Sequence, residues 1–245
     1  MNEPKSMAEP FRFDGRVALV TGGLRGIGRS IAELLVSRGA EVHVFDHASA
    51  EGAESLPFAV YKVDIADSAA VAAAMTGLPR PPLLLVNNAG ITRDRSLAKM
   101  SDEEWSQVIA VNLTGAFNMI RAAVPEMVSA GYGRIVNVTS INGLRGKFGQ
   151  ANYTAAKAGL IGLTKTAARE LGAKGVTVNA VAPGMVMTEM AAQMPEEIRN
   201  RAIAETVLGR LALPQDIAYG VLFLLSEQAG LITGEVLRID AGQYI

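Results

Sequence analysis

An α/β fold, a seven-stranded parallel sheet with helices on both faces, is predicted by three features of the 245-residue sequence. Short apolar runs alternate with longer stretches of helical periodicity. Several of those runs are apolar throughout, as suits strands covered on both sides. A glycine-rich turn joins the first run to the first helical stretch. Strands are expected at residues 16–20, 41–45, 58–63, 83–86, 134–138, 176–181 and 236–239. Helices are expected at residues 26–38, 67–75, 102–128, 151–173 and 214–226. Strand and helix in turn give a doubly wound parallel sheet. Only 18 steps separate Asp46 from Asp64, so residues 49–55 have room for about two helical turns and a stunted crossover is expected there. The cluster at residues 79–82 is a tight proline loop entering a strand, and no repeat or linker divides the chain. Residues 14–245 therefore read as a single domain behind a flexible polar tail, residues 1–13.

Composition excludes several function classes. Hydrophobic residues are 49% and charged residues 19%, which rules out disorder for the bulk of the chain. A net charge of -1 argues against a nucleic-acid-coating surface, and 5% aromatics argue against base-stacking platforms. With no cysteine there is no disulfide, thiolate metal site or cysteine nucleophile, and no metal centre is expected. The two histidines, His43 and His47, are four residues apart and neither is near a serine elbow. The N-terminus is polar, with Pro and Glu, unlike a secretory signal. No apolar run approaches the roughly 18 residues of a membrane span, so a cytoplasmic protein without a membrane partner is expected.

The first turn, Thr21-Gly22-Gly23-Leu24-Arg25-Gly26-Ile27-Gly28, follows a strand and opens a helix. Glycines at 22, 26 and 28 allow tight backbone paths and close approach of a pyrophosphate to a helix N-terminus. Asp46 ends the second strand, 24 residues after Gly22, where an acid accepts hydrogen bonds from an adenosine ribose. Its charge repels a 2′-phosphate, which favours NAD over NADP; Arg25 argues the other way. Asp64 is a candidate adenine cap or an ordinary turn aspartate, and His47 a rim residue.

Downstream, Tyr153 and Lys157 are four apart on one helix and share a face. Ser140 lies 13 residues earlier at the end of the fifth strand, and Asn112 sits in the long preceding helix. Taken in order, Thr21–Gly28, Asn87-Asn88-Ala89-Gly90, Asn112, Ser140, Tyr153-x-x-x-Lys157 and Pro183-Gly184 resemble the short-chain dehydrogenases/reductases over nearly the whole chain. The resemblance implies a Rossmann fold, a catalytic tetrad of Asn112, Ser140, Tyr153 and Lys157, and a homotetramer paired through the long helices; a heteromeric role stays open. It implies a coenzyme groove of Gly22, Arg25, Gly26, Ile27, Gly28, Asp46, Asp64, Ile65, Asn88, Ala89, Gly90, Tyr153, Lys157, Pro183, Gly184, Val186 and Thr188. Asn88 and Gly90 would line its adenosine side; Pro183, Gly184 and Thr188 would hold the nicotinamide end. Asn112 would hold a water that links Lys157 to solvent.

Physical chemistry agrees with these roles. A free phenol titrates near 10, and a neighbouring ammonium is expected to make Tyr153 a better base. Ser140 would stabilise charge on the substrate oxygen, while hydride transfer belongs to the nicotinamide.

Asn87–Asp94 and Gln150-Ala151-Asn152-Tyr153 look like the 3-oxoacyl-thioester reductases, which usually prefer NADPH. Asp46 departs from that preference. An acidic carrier protein wants a basic docking surface, and only Arg134 and Lys174 remain near its expected place. The reading is therefore an NAD-linked oxidoreductase for a 3-hydroxyacyl-CoA or related secondary alcohol, with Ser140, Gln150, Tyr153 and Met185 touching substrate. Alternatives are an NADPH-dependent 3-oxoacyl-acyl-carrier-protein reductase, a non-catalytic NAD-binding partner subunit, and an isomerase or lyase using bound NAD. Arg145 and Lys147 are candidates for CoA phosphates or plain surface charges. Residues 185–210, with Met185, Met187, Met190 and Met194, are expected to form a mobile apolar lid, or else to serve in ordinary packing.

Overall fold

The computed structural model describes residues 11–48 and 55–245, so the crossover expected at 49–55 lies outside the described residues except for Ser55. Among the described residues seven strands form one parallel sheet in the order β3-β2-β1-β4-β5-β6-β7. They are β1 Val17–Thr21, β2 Glu41–Asp46, β3 Ala59–Lys62, β4 Leu84–Asn87, β5 Gly133–Val138, β6 Val176–Pro183 and β7 Val236–Ile239. β1, β4, β5 and β6 are buried along their length, which is why their sequences are largely apolar without strict alternation. The edge strands β3 and β7 are only partly covered.

Successive strand residues serve opposite layers. Ala18 and Val20 of β1 pack with Ile31 and Leu35 of helix α1 (Gly26–Ser37) and Val221 and Leu225 of helix α9 (Pro214–Leu225). Leu19 joins the other layer, with Val71 of α2 (Ser68–Thr76), Met119 and Met127 of α4 (Ala116–Ser129) and Leu171 of α6 (Ala151–Leu171). The other α-helices among the described residues are α3 (Asp102–Ile109), α5 (Asn142–Arg145), α7 (Glu189–Ala192) and α8 (Glu196–Ala204). α7 and α8 make up the segment expected as a lid.

Four local expectations are corrected. The tail does not extend to residue 13: Phe13 is buried in the core, and Phe11 meets the Phe223 ring edge-on at 6.4 Å. The helix expected over 102–128 is interrupted by a π-helical turn, Ala110–Gly115, between α3 and α4. The same stretch, Asp102–Ser129, is apolar and long enough on composition to cross a membrane, contrary to expectation; here it lies against the sheet with Met119, Ala123 and Met127 fully buried. Arg134 is no docking charge. It is buried, stacks on Tyr132 at 4.3 Å and pairs with Glu227 at 3.5 Å.

Candidate active site

Because all strands are parallel, their C-terminal ends share one edge. The order turns back between β1 and β4, and the crevice at such a reversal is where this architecture binds ligands. Both halves of the predicted site lie there.

The glycine loop leaves β1 at Thr21. Gly22 has φ 65°, and a Cβ on it would lie 2.8 Å from Ala89 Cα. A Cβ on Gly28 would lie 2.1 Å from the Gly22 oxygen, so that turn tolerates no side chain. Asn88 is turned to the loop itself: its Nδ2 donates to the carbonyls of Thr21 and Gly22, each at 3.0 Å. Thr21 Oγ1 accepts the N–H groups of Asn88 and Ala89, also at 3.0 Å. The loop that begins one layer of the site is thereby stitched to the segment after β4.

α1 begins with no side-chain cap and no acid in its first turn, whereas α2 is capped by Asp67 and α3 by Ser101 in a capping box with Glu104. Unclaimed N–H groups at a helix start are what a pyrophosphate needs, so these residues fit a dinucleotide. Arg25, at the cap position, is exposed, while Ile27 packs toward the core. Asp46 sits beside the loop, its carboxylate accepting the N–H of Leu24 at 3.2 Å and of Ala48 at 3.1 Å. Asp64 makes a turn contact, accepting the Ala66 N–H at 2.9 Å. Ile65 is buried, and a Cβ on Gly115 would lie 2.7 Å from its side chain.

The other half gathers on β5, β6 and α6. Ser140 stands two residues beyond the end of β5, and its Oγ accepts the Asn142 N–H at 3.1 Å. The Ser140 hydroxyl stands close enough to the Tyr153 phenol to lower its pKa. Lys157 Nζ lies 5.7 Å from the centre of the Tyr153 ring and donates to the Val138 carbonyl at 2.8 Å. Asn112 sits in the π turn, where Oδ1 accepts the Ile91 N–H at 2.8 Å and Nδ2 donates to the Ile91 carbonyl at 2.9 Å. Gly90 lies between the two: a Cβ there would be 3.4 Å from Asn112 Oδ1 and 3.6 Å from Lys157 Nζ. All four tetrad candidates thus converge around Gly90 and the end of β5.

The charges differ from expectation in one respect. Burial pushes the Tyr153 phenol above its ordinary value, Ser140 pulls it back, and the Asp94 carboxylate raises it further. The Lys157 ammonium stands over the ring, bonded to a carbonyl, and burial pushes Lys157 itself down to about 8. In the protein alone, then, Tyr153 is a protonated donor at neutral pH and Lys157 is still largely charged.

Pro183 closes β6 and its carbonyl accepts the Ile141 N–H at 3.0 Å, next to Ser140. Val186 is buried and bridges to Ala212. Thr188 caps α7 through Ala191 and stands over the glycine loop, its Cγ2 3.4 Å from where a Cβ of Gly26 would be. Of the substrate candidates, Gln150 has both ends of its amide occupied: Nε2 donates to Asp94 at 2.9 Å, and Oε1 accepts from Asn142 at 3.0 Å. The Met185 N–H is taken by Gln243 Oε1 at 3.0 Å, a residue that no motif signalled, as is a corner made by Gly184, where a Cβ would lie 2.6 Å from the same oxygen. Arg145 is not open to phosphate, since Glu205 accepts from it at 3.1 Å.

Comparison with known proteins matches this geometry. Residues 22–243 fit the family pattern described as Enoyl-(Acyl carrier protein) reductase. An acetoacetyl-CoA reductase of Rhizobium meliloti (strain 1021) is 46% identical over 240 residues, 94% of this chain and 98% of the relative. The 3-oxoacyl-[acyl-carrier-protein] reductases FabG of Vibrio cholerae and Escherichia coli (strain K12) are 44% and 42% identical, each over 95% of this chain and 99% of the relative. Matching that pattern over residues 22–243 and those relatives over nearly its whole length, the chain belongs to the short-chain dehydrogenase/reductase family, a family of nicotinamide-dependent oxidoreductases.

Proposed function

We propose that this protein exchanges a hydride between NAD(H) and C3, the 3-oxo carbon, of an acyl thioester, with an acyl-CoA as substrate. The observation that carries the reading is the placement of the Ser140 and Tyr153 hydroxyls together beside the buried Lys157. Two hydroxyls on one side of a site suit a ketone or alcohol oxygen. Ser140 Oγ accepts from the Asn142 N–H and keeps its own O–H as a donor. Tyr153, held as a phenol by burial, gives its proton to the oxygen that becomes the alcohol. Lys157 supplies positive charge beneath the ring and a donor for the ribose of the bound coenzyme. A bound nicotinamide supplies the hydride in reduction and receives it in oxidation.

Asp46 supports NAD over NADP, because a carboxylate fixed by the Leu24 N–H stands where a 2′-phosphate would bring like charge. The buried, Glu227-paired Arg134 supports a CoA thioester over an acyl-carrier-protein thioester, since it offers no basic patch to an acidic protein. We infer a homotetramer in the cytoplasm, supported by Trp105 on α3 and Phe117 on α4, each 42% exposed on the helices expected to pair. Sedimentation as a monomer at micromolar concentration would contradict the assembly.

Purified protein is to be assayed with NADH or NADPH against acetoacetyl-CoA, a 3-oxoacyl carrier protein, an enoyl-CoA and simple ketones. Faster NADH oxidation with the 3-oxoacyl-CoA is the expected result. Tyr153→Phe should lower turnover by about 10²–10⁴-fold and leave NADH binding intact. Turnover by Tyr153→Phe at the unsubstituted rate removes the assigned proton donor, and binding without any turnover favours the partner-subunit reading.

A further inference from the structure

Gln243 joins three segments that enclose the substrate end. Its amide oxygen accepts the Met185 N–H at 3.0 Å, at the corner after β6. Its amide nitrogen donates to Glu205 Oε2 at 2.9 Å, just past α8. Its main-chain carbonyl accepts from Arg145 Nη1 at 3.3 Å, at the end of α5, the helix that follows Ser140. Arg145 and Glu205 also meet directly at 3.1 Å. From Arg145 the bonds continue through Asn142 to Gln150 and on to Asp94, so a polar chain runs from the lid across the serine loop to the segment after β4.

The turn that holds Gln243 is built for this position. The buried Asp240 carboxylate accepts the N–H groups of Gly242 and Tyr244 at 3.0 and 3.1 Å. Ala241 adopts φ 54°, which a non-glycine residue holds only when its surroundings insist. Its carbonyl accepts the N–H groups of both Val207 and Leu208 at 3.0 and 3.1 Å. A Cβ on Gly242 would lie 2.8 Å from Val207, so this turn is seated against the lid without slack. Arg145 and Glu205 are 24% and 43% exposed, and such a pair alone is weak. Gln243 adds an uncharged donor to the same carboxylate oxygen and fixes that oxygen to the corner at Met185.

We propose that Gln243 is a positioning residue that ties the lid, through Glu205 and Arg145, to the serine loop and so sets the affinity for the acyl substrate. Every partner in the cluster comes from a segment bordering the substrate end. The proposal rests on the oxidoreductase reading of that site; its structural half stands independently.

Three variants, Gln243→Ala, Glu205→Gln and Arg145→Gln, are compared with the unsubstituted protein in two measurements. In steady-state reduction of acetoacetyl-CoA with NADH, each is expected to raise KM about tenfold while kcat stays within about threefold. The double variant Glu205→Gln/Gln243→Ala should be no worse than its poorer parent, because both residues act through one carboxylate. In limited trypsinolysis, cleavage after Arg199 or Arg201 in α8 should be about fivefold faster in each variant. An unchanged KM, or kcat falling in step with kcat/KM, overturns the effect on substrate affinity; an unchanged tryptic rate overturns the tie itself. Absence of turnover in the unsubstituted protein would strike the oxidoreductase reading instead, and the tie would then be decided by the tryptic rate alone.

Discussion

Lys157→Met should turn the burial of a functional charge into a measurable gain in stability. Lys157 is 3% exposed and burial has moved it from 10.5 to about 8. Below the folded value, both folded and unfolded chains hold the proton, and the folded state carries the whole cost of a desolvated ammonium. Between the folded and unfolded values, the unfolded chain binds more protons, so stability rises with pH. At about 1.36 kcal/mol per pH unit, the unsubstituted protein gains ~2 kcal/mol between pH 7 and pH 9.5 from this group. A methionine has no proton to lose and gains none. Its loss of the bond to the Val138 carbonyl costs about 1–3 kcal/mol, but equally at both pH values, and so cancels. Tyr153 and Tyr132, both raised, titrate above this window. Urea unfolding of the coenzyme-free protein and the variant at equal concentration, at pH 7 and 9.5, measures the difference directly. A gap that stays constant, or that moves in favour of the variant as pH rises, refutes the claim that Lys157 is held charged at a cost in stability.

Asp46→Asn keeps an acceptor for the Leu24 N–H but removes the charge; the ratio of kcat/KM for NADPH to that for NADH should rise about tenfold in a coenzyme comparison. Phe13→Ala should cost about 3–5 kcal/mol in denaturant unfolding if Phe13 belongs to the core, and next to nothing if it belongs to a tail. Ser140→Ala should lower kcat about 10²-fold while coenzyme binding, measured by nicotinamide fluorescence, stays unchanged.

What could be read in the sequence follows from the range of the interactions involved. β4, β5 and β6 were visible because burial on both faces leaves the strands largely apolar, with few polar residues among them. The glycine loop was visible because a backbone that admits no Cβ, as at Gly28, leaves a residue that stands for the geometry. The interruption at Ala110–Gly115 was not, since a π turn adds no residue type of its own to a helical pattern. Arg134 looked like surface because a charge is buried only where partners meet it, and Tyr132 and Glu227 come from a strand entrance and the end of α9. Gln243, Glu205 and Arg145 carry no signature either: each bond spans tens of residues and no period or motif connects them.

The ionisation of Tyr153 shows why the right residues do not by themselves give the right chemistry. A tyrosine and a lysine one helical turn apart suggest a phenol made acidic by its neighbour. The folded protein buries both, and burial disfavours each charged form separately, so phenol and ammonium move in opposite directions from their ordinary values. Ser140 is the group that acts on the phenol oxygen, and Asp94 opposes it from the segment after β4. On the proposed function, the coenzyme-free site would therefore donate a proton to a carbonyl oxygen at neutral pH. Running the reaction from the alcohol requires positive charge brought close enough to stabilise the phenolate. Lys157 is held at the end of β5 by Val138, and the ribose and the oxidised nicotinamide would occupy the groove in front of it. On the proposed function, coenzyme binding and the choice of direction would be coupled through one buried ammonium, whose cost to the empty fold is the cost of keeping that charge in place.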